Sequence, residues 1–276
     1  ALRHRRRMSR FLPLSLAAAL TLASALVPAH AQAEPGDVIA LDYVPGWQVS
    51  DGVEMGGIRI RLEPGWKTYW RAPGDAGIPP QFVWSGSDNL RAVRIHWPTP
   101  EVFDTDGMRT IGYTDEVILP VELFAKAPAL PVAVQGEALL GVCKDICIPA
   151  SVGFGTLSGG DAALSAAAIT AALAARPQSA TGARVTCTVA PISDGLRLTA
   201  EVTLPSKGRD EVAVIEVGRA DVWVSEAETV RRGDVLEVQA DLVPPNAAPF
   251  SLDRSKVRMT VLGQHGSADL IGCDAG

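Results

Sequence analysis

The sequence predicts an all-β chain, two antiparallel β-sandwiches joined by one short helix, and three observations carry that expectation. Short apolar runs rich in β-branched residues recur along most of the chain. Turn signals containing Gly or Pro separate them at regular intervals. A single stretch dominated by Ala and Leu, 162–175, breaks the pattern once.

In chain order, residues 3–10 hold five Arg, 11–27 are apolar and rich in Leu and Ala, and Ala29-His30-Ala31 or Ala31-Gln32-Ala33 offers a small-x-small cleavage site. This is the pattern of a secretory signal peptide, residues 1–31. A membrane anchor is the competing reading, but the run is short at about 17 residues, contains Pro13 and lacks a stop-transfer flank. The mature chain is therefore expected to be exported, into a compartment that permits disulfides. The formal charge of −6 hides an asymmetry, because without the five leader Arg there remain 20 Lys and Arg against 31 acids, a net of −11. Such a body is a poor nucleic-acid ligand, since phosphate binding needs clustered cations.

The first sandwich is expected over 34–157, with strands at 38–41, 58–62, 93–97 and 117–123. Pro45-Gly46, Asp51-Gly52, Pro64-Gly65, Pro73-Gly74, Asp106-Gly107 and Gln135-Gly136 read as the turns between strands. Residues 158–177 form the helical linker, which Ser158 or Asp161 can cap and Pro177 terminates. The second sandwich, 178–276, has strands at 184–189, 196–204, 212–217, 222–224, 235–242 and 256–262. Five of the six Trp and all three Tyr lie in the first sandwich, so aromatic recognition, if present, belongs there.

The four cysteines carry the functional argument. Cys143 and Cys147 flank a three-residue turn between two apolar runs, which suits a hairpin whose opposed residues come within disulfide range. That leaves Cys187 with Cys273, in the first and last strands of the second sandwich, where the bond would tie its ends together. On the chain-entropy model a loop of about 87 residues contributes roughly 4.6 kcal/mol and one of about 5 roughly 2 kcal/mol. Cys187–Cys273 is thus an effective staple, and Cys143–Cys147 a poor one whose tight ring is expected to raise its reduction potential. The residues alone point to a redox-active pair and leave two alternatives open, a structural hairpin clip and a metal site. Lys144 is adjacent and Asp145 opposes it, so what activates the thiol is open as well. Two thiolates can hold Cu(I), but a four-ligand zinc site would need both His96 and His265 from different sandwiches. His96, on an apolar strand, reads as structural. There is no G-x-S-x-G, H-E-x-x-H, P-loop or dinucleotide fingerprint.

Three stretches resemble the periplasmic N-terminal domain of the DsbD and ScsB thiol:disulfide interchange proteins. They are Trp66-Lys67-Thr68-Tyr69-Trp70-Arg71-Ala72-Pro73-Gly74-Asp75-Ala76-Gly77-Ile78-Pro79-Pro80, the region from Trp97-Pro98 through Gly112-Tyr113 into Leu119-Pro120-Val121, and Cys143-Lys144-Asp145-Ile146-Cys147-Ile148-Pro149. The resemblance is close over the first sandwich, and its ScsB-like branch extends over the mature chain. It implies immunoglobulin-like sandwiches, a periplasmic location and no cofactor or metal. It implies that Cys147 forms the mixed disulfide with partners and that Cys143 resolves it. It also implies a capping loop at 100–109 with Phe103 as the covering side chain, and Tyr69 and Tyr113 in the pocket. The cysteine spacing is shorter than in DsbD itself and favours the ScsB-like branch. Expected partners are periplasmic thioredoxin-like or disulfide-bonded proteins. Family members continue into a membrane domain that delivers electrons, whereas this chain ends at Gly276, so a DsbD/ScsB-type donor is expected to act in trans. The alternative function is a binding module for Cu(I) or cytochrome c maturation that uses the same thiols without turnover.

Overall fold

A computed structural model describes residues 35–105, 107–156 and 161–276. The leader reading, the Ser158 cap and Asp106 of the expected turn lie outside these residues. The strands of the first half are β1 (Ile39–Ser50), β2 (Val53–Leu62), β3 (Lys67–Tyr69), β4 (Gln81–Val83), β5 (Leu90–Ile95), β6 (Glu101–Thr105), β7 (Met108–Thr114), β8 (Glu116–Ala125), β9 (Gln135–Cys143) and β10 (Cys147–Gly155). Those of the second half are β11 (Gln178–Ser179), β12 (Arg184–Pro191), β13 (Leu196–Thr203), β14 (Val212–Glu216), β15 (Trp223–Val224), β16 (Glu228–Arg232), β17 (Val235–Val243), β18 (Arg258–Gly263), β19 (Gly266–Ile271) and β20 (Asp274–Ala275). Together they form immunoglobulin-like, almost wholly antiparallel sandwiches.

In the first sandwich a β1-β2-β8-β5 sheet faces a β10-β9-β3-β7-β6 sheet, with β4 also paired to β9. Alternation along β9 explains the packing: Ala138, Leu140 and Val142 point into the core, while Glu137, Leu139, Gly141 and Cys143 lie on the other face. Two expected turns prove to be strand. Pro45-Gly46 lies inside β1, at a register irregularity opposite β2; β1 is an edge strand, where a missing N–H is tolerated. Gln135-Gly136 opens β9, and Gly136 is there for close approach: a Cβ would come within 2.5 Å of the Phe154 ring and of the Val83 carbonyl oxygen.

The helix Ala162–Ala174 is capped by Asp161, whose carboxylate accepts from the Ala163 and Leu164 amides. It does more than connect. Ile169 is fully buried with Val44, Met55 and Ile118, so the helix covers the outer face of the β1-β2-β8-β5 sheet. Beyond its C-terminus Arg176 donates to His96 Nδ1 at 2.9 Å, and His96 Nε2 lies 3.1 Å from Glu122. Burial lowers the His96 pKa, which suits a neutral, structural imidazole.

The second sandwich pairs a β11-β19-β18-β14 sheet with a β15-β17-β13-β12-β20 sheet, β16 also adding to β17. Its core includes Leu198, Val202, Leu236, Leu242 and Met259. The Cys187–Cys273 disulfide closes it, from β12 to the segment just before β20 rather than to a strand itself. The two sandwiches share apolar packing, since Val212 and Leu262 belong to the first core. Arg71 stacks on the Trp70 ring at 3.9 Å and makes a bidentate pair with Glu216, and Thr99 bonds Ser267 at 2.5 Å. No helix among the described residues is long and apolar enough to cross a membrane.

Truncating Ile169 removes the helix's main anchor. Ile169→Ala is expected to lower unfolding stability by about 2–4 kcal/mol, measured by urea denaturation with both disulfides intact.

Candidate functional site

Cys143 ends β9 and Cys147 begins β10, and the two are bonded across a hairpin whose turn is Lys144-Asp145-Ile146. Their Cα atoms are 4.1 Å apart, the spacing of a non-hydrogen-bonded pair, where side chains approach most closely. The surroundings of the two differ. Cys143 is 1% exposed, whereas Cys147 is exposed and is preceded by Ile146 at 67%. Only the Cys147 side of the bond meets solvent.

The pairing register builds the rest of the site. Cys143 lies opposite Cys147 on one side and Lys67 on the other, and Lys67 in turn lies opposite Thr114. Paired residues share a face, so these four side chains stand abreast on the outer face of the sheet. Tyr69, two residues along β3, is on the same face. Its hydroxyl lies 2.8 Å from Cys143 Sγ and 3.2 Å from Cys147 Sγ. Gly141 makes that approach possible, because a Cβ there would lie 2.8 Å from the Tyr69 ring and 2.9 Å from Ile78. Burial pushes the Tyr69 phenol up, so it stays protonated and can donate to sulfur.

Phe103 sits on β6, opposite Thr110 of β7, in a regular hairpin where a loop was expected. Its ring carries the Lys67 ammonium at 4.8 Å, and Lys67 Nζ donates to Thr110 Oγ1 at 3.1 Å. Tyr69 brings its hydroxyl to both sulfurs, and Phe103 stands on the same face of the sheet, on β6. Tyr113 is a correction. Its backbone pairs with Thr68, one position out of step with Tyr69, so its side chain enters the core and its hydroxyl donates to the Pro98 carbonyl at 2.8 Å. Lys144, adjacent to Cys143 in the chain, has its ammonium 3.4 Å from the Pro64 carbonyl oxygen. Gly141 and the placement of Lys67 had no signal in the sequence on its own, because both depend on how β3 pairs with β9.

Fold and site together define an immunoglobulin-like sandwich that presents a cystine at a hairpin tip. Residues 40–158 match the family described as Thiol:disulfide interchange protein DsbD, N-terminal, and the first sandwich belongs to that DsbD/ScsB N-terminal domain family. Among solved structures, the chain is similar to the N-terminal periplasmic domain of ScsB from Proteus mirabilis, with TM-score 0.61 and 22% identity over 86% of this chain and 92% of that one. No curated protein matches the chain.

The Tyr69 hydroxyl is placed to stabilise whichever sulfur leaves as thiolate. Tyr69→Phe keeps the ring and removes that donor, and a hydrogen bond to a charged group contributes about 1.5–3 kcal/mol. Reduction of the Cys143–Cys147 bond by a small dithiol is expected to slow about tenfold or more, followed by timed alkylation and mass mapping at fixed pH.

Proposed function

We propose that the chain is a periplasmic thiol-disulfide interchange protein that passes electrons to partner proteins through Cys143 and Cys147. The observation that carries this reading is the asymmetry of the pair, with Cys147 exposed and Cys143 buried beside the Tyr69 hydroxyl. A partner sulfur has access to Cys147 only. In the reduced protein the Cys147 thiolate attacks a partner disulfide; the new bond joins Cys147 Sγ to one partner sulfur, and the other leaves as thiolate. Cys143 then attacks Cys147 Sγ. The intramolecular disulfide re-forms, and the partner departs with both of its sulfurs reduced.

Membership of the first sandwich in the DsbD N-terminal family supports interchange chemistry and thioredoxin-like redox partners in general. The finer reading is that periplasmic thioredoxin-like or disulfide-bonded proteins accept the electrons, and that a membrane protein of the DsbD/ScsB type resupplies them in trans. Ile146, Ile78 and Leu139 are exposed apolar side chains in or near the hairpin and give a partner a dry contact around Cys147.

Cys143→Ser removes the resolving thiol and leaves the attacking one. It is expected to accumulate partner adducts through Cys147, seen as reductant-sensitive bands on non-reducing gels of periplasm, which Cys147→Ser does not form. Absence of adducts under every redox condition overturns the reading.

A further inference from the structure

We infer that Lys67 is a positioning residue for the sulfur chemistry: its ammonium, held on Phe103 and Thr110 while the disulfide is intact, moves to Cys143 when that sulfur becomes a thiolate. The inference rests on the redox reading of the pair and deepens it.

Register is the first support. Lys67 is the ladder partner of Cys143, so the two side chains rise from the same face with Cβ atoms about 4.5–5.5 Å apart. No other strand lies between them. The second support is where the ammonium rests. On that face of β7 Thr114 and Thr110 flank Gly112, which offers no side chain, and Lys67 spans this gap to reach Thr110 Oγ1 and the Phe103 ring. A hydroxyl and a ring face are weak holds for a cation at a partly exposed site. An anion one strand away outcompetes them, since a full opposite charge attracts an ammonium more strongly than a neutral hydroxyl or a ring face does.

The remaining charged groups near Cys143 leave the role to Lys67. Lys144 is drawn to the Pro64 carbonyl, Glu101 accepts from Thr114, and Asp104 pairs with Arg109 on the other face of the hairpin. Asp145, exposed in the turn, is the opposing charge. Tyr69 supplies a neutral donor. When a thiolate attacks Cys147 Sγ, the bond to Cys143 breaks and its electron pair stays on Cys143 Sγ. The Lys67 ammonium neutralises that charge without giving up its proton, and Phe103 loses the cation it carried.

The test measures the Cys143 thiol in a Cys147→Ser background by ultraviolet thiolate titration, with Lys67 intact or replaced by Met, Gln or Arg. Met and Gln are expected to raise the Cys143 pKa by about one unit, a tenfold smaller thiolate fraction below the pKa, and Arg to restore it. The shift should shrink in high salt, which a packing defect would not do. In the two-cysteine protein, Lys67→Met should slow reduction by a small dithiol several-fold, because the leaving sulfur is poorer. Coincident titrations of all four proteins overturn the role of Lys67 and leave the redox reading standing. A native Cys143–Cys147 pair that stays oxidised in excess small dithiol, as Cys187–Cys273 is expected to, overturns the redox reading itself.

Discussion

The site depends on the register of one strand. β9 lies between β10 and β3, and its period-two alternation assigns Ala138, Leu140 and Val142 to the core and Gly141 and Cys143 to the outer face. A slip of one residue would turn Cys143 into the core and Val142 into solvent. Because the inner residues are almost wholly buried, the hydrophobic cost of that slip holds the sulfur chemistry on the surface. The same register brings Lys67 beside Cys143 and sets Tyr69 across the bare backbone of Gly141. Reactive groups from three strands are therefore placed by the packing on the opposite side of the sheet, and none of them needs a flexible loop to reach the sulfurs.

The second sandwich acts on this sheet from the opposite end. Arg71, two residues beyond Tyr69, is held by both carboxylate oxygens of Glu216 and by the Thr260 hydroxyl, and Thr260 is itself next to the Arg258–Asp269 pair. Arg109, in the strand that returns from Phe103, pairs with Glu226 at 2.7 Å. Such pairs add little net stability when half exposed, but bidentate geometry fixes orientation. The strand that carries Tyr69 and the hairpin that carries Phe103 are each tied to a second rigid body. This gives the second sandwich a physical effect on the site although it supplies no side chain to the sulfurs.

How much of this was legible in the sequence follows from how local each signal is. The cysteine pairing was readable because a three-residue turn between apolar runs is a local pattern, and so was the helix, marked by Asp161 and Pro177. Tyr69 and Tyr113 came through two stretches of the same family resemblance, yet Tyr113 faces the core. The two differ only in which residue pairs with which across β3 and β7, a long-range fact. Pro45-Gly46 and Gln135-Gly136 carry turn chemistry yet sit in strands, one tolerated at a sheet edge and the other demanded by the Phe154 ring. Strands β16 and β19 were missed because in β16 the half-buried positions are Thr229 and Arg231 while the apolar Val230 faces out, and Gly266 to Ile271 is weakly apolar, so tertiary pairing decides them.

The two disulfides differ in loop length and exposure although both are cross-links between β-segments. Cys187 is 1% exposed and Cys273 is partly buried against the same core, in a loop long enough for chain entropy to favour the oxidised form strongly. An attacking thiolate has little approach there, and reduction would release a long constrained loop. Cys143–Cys147 reverses both terms: the loop is short, so oxidation gains little from entropy, and one sulfur is presented to solvent while the other stays beneath a hydroxyl. A bond that is cheap to open still needs its leaving sulfur stabilised, since a thiolate in a largely buried position would otherwise bear the cost of desolvation. That requirement gives Tyr69 and Lys67 a chemical reason to share the face with the sulfurs, whereas a cross-link that is not opened needs no such neighbours.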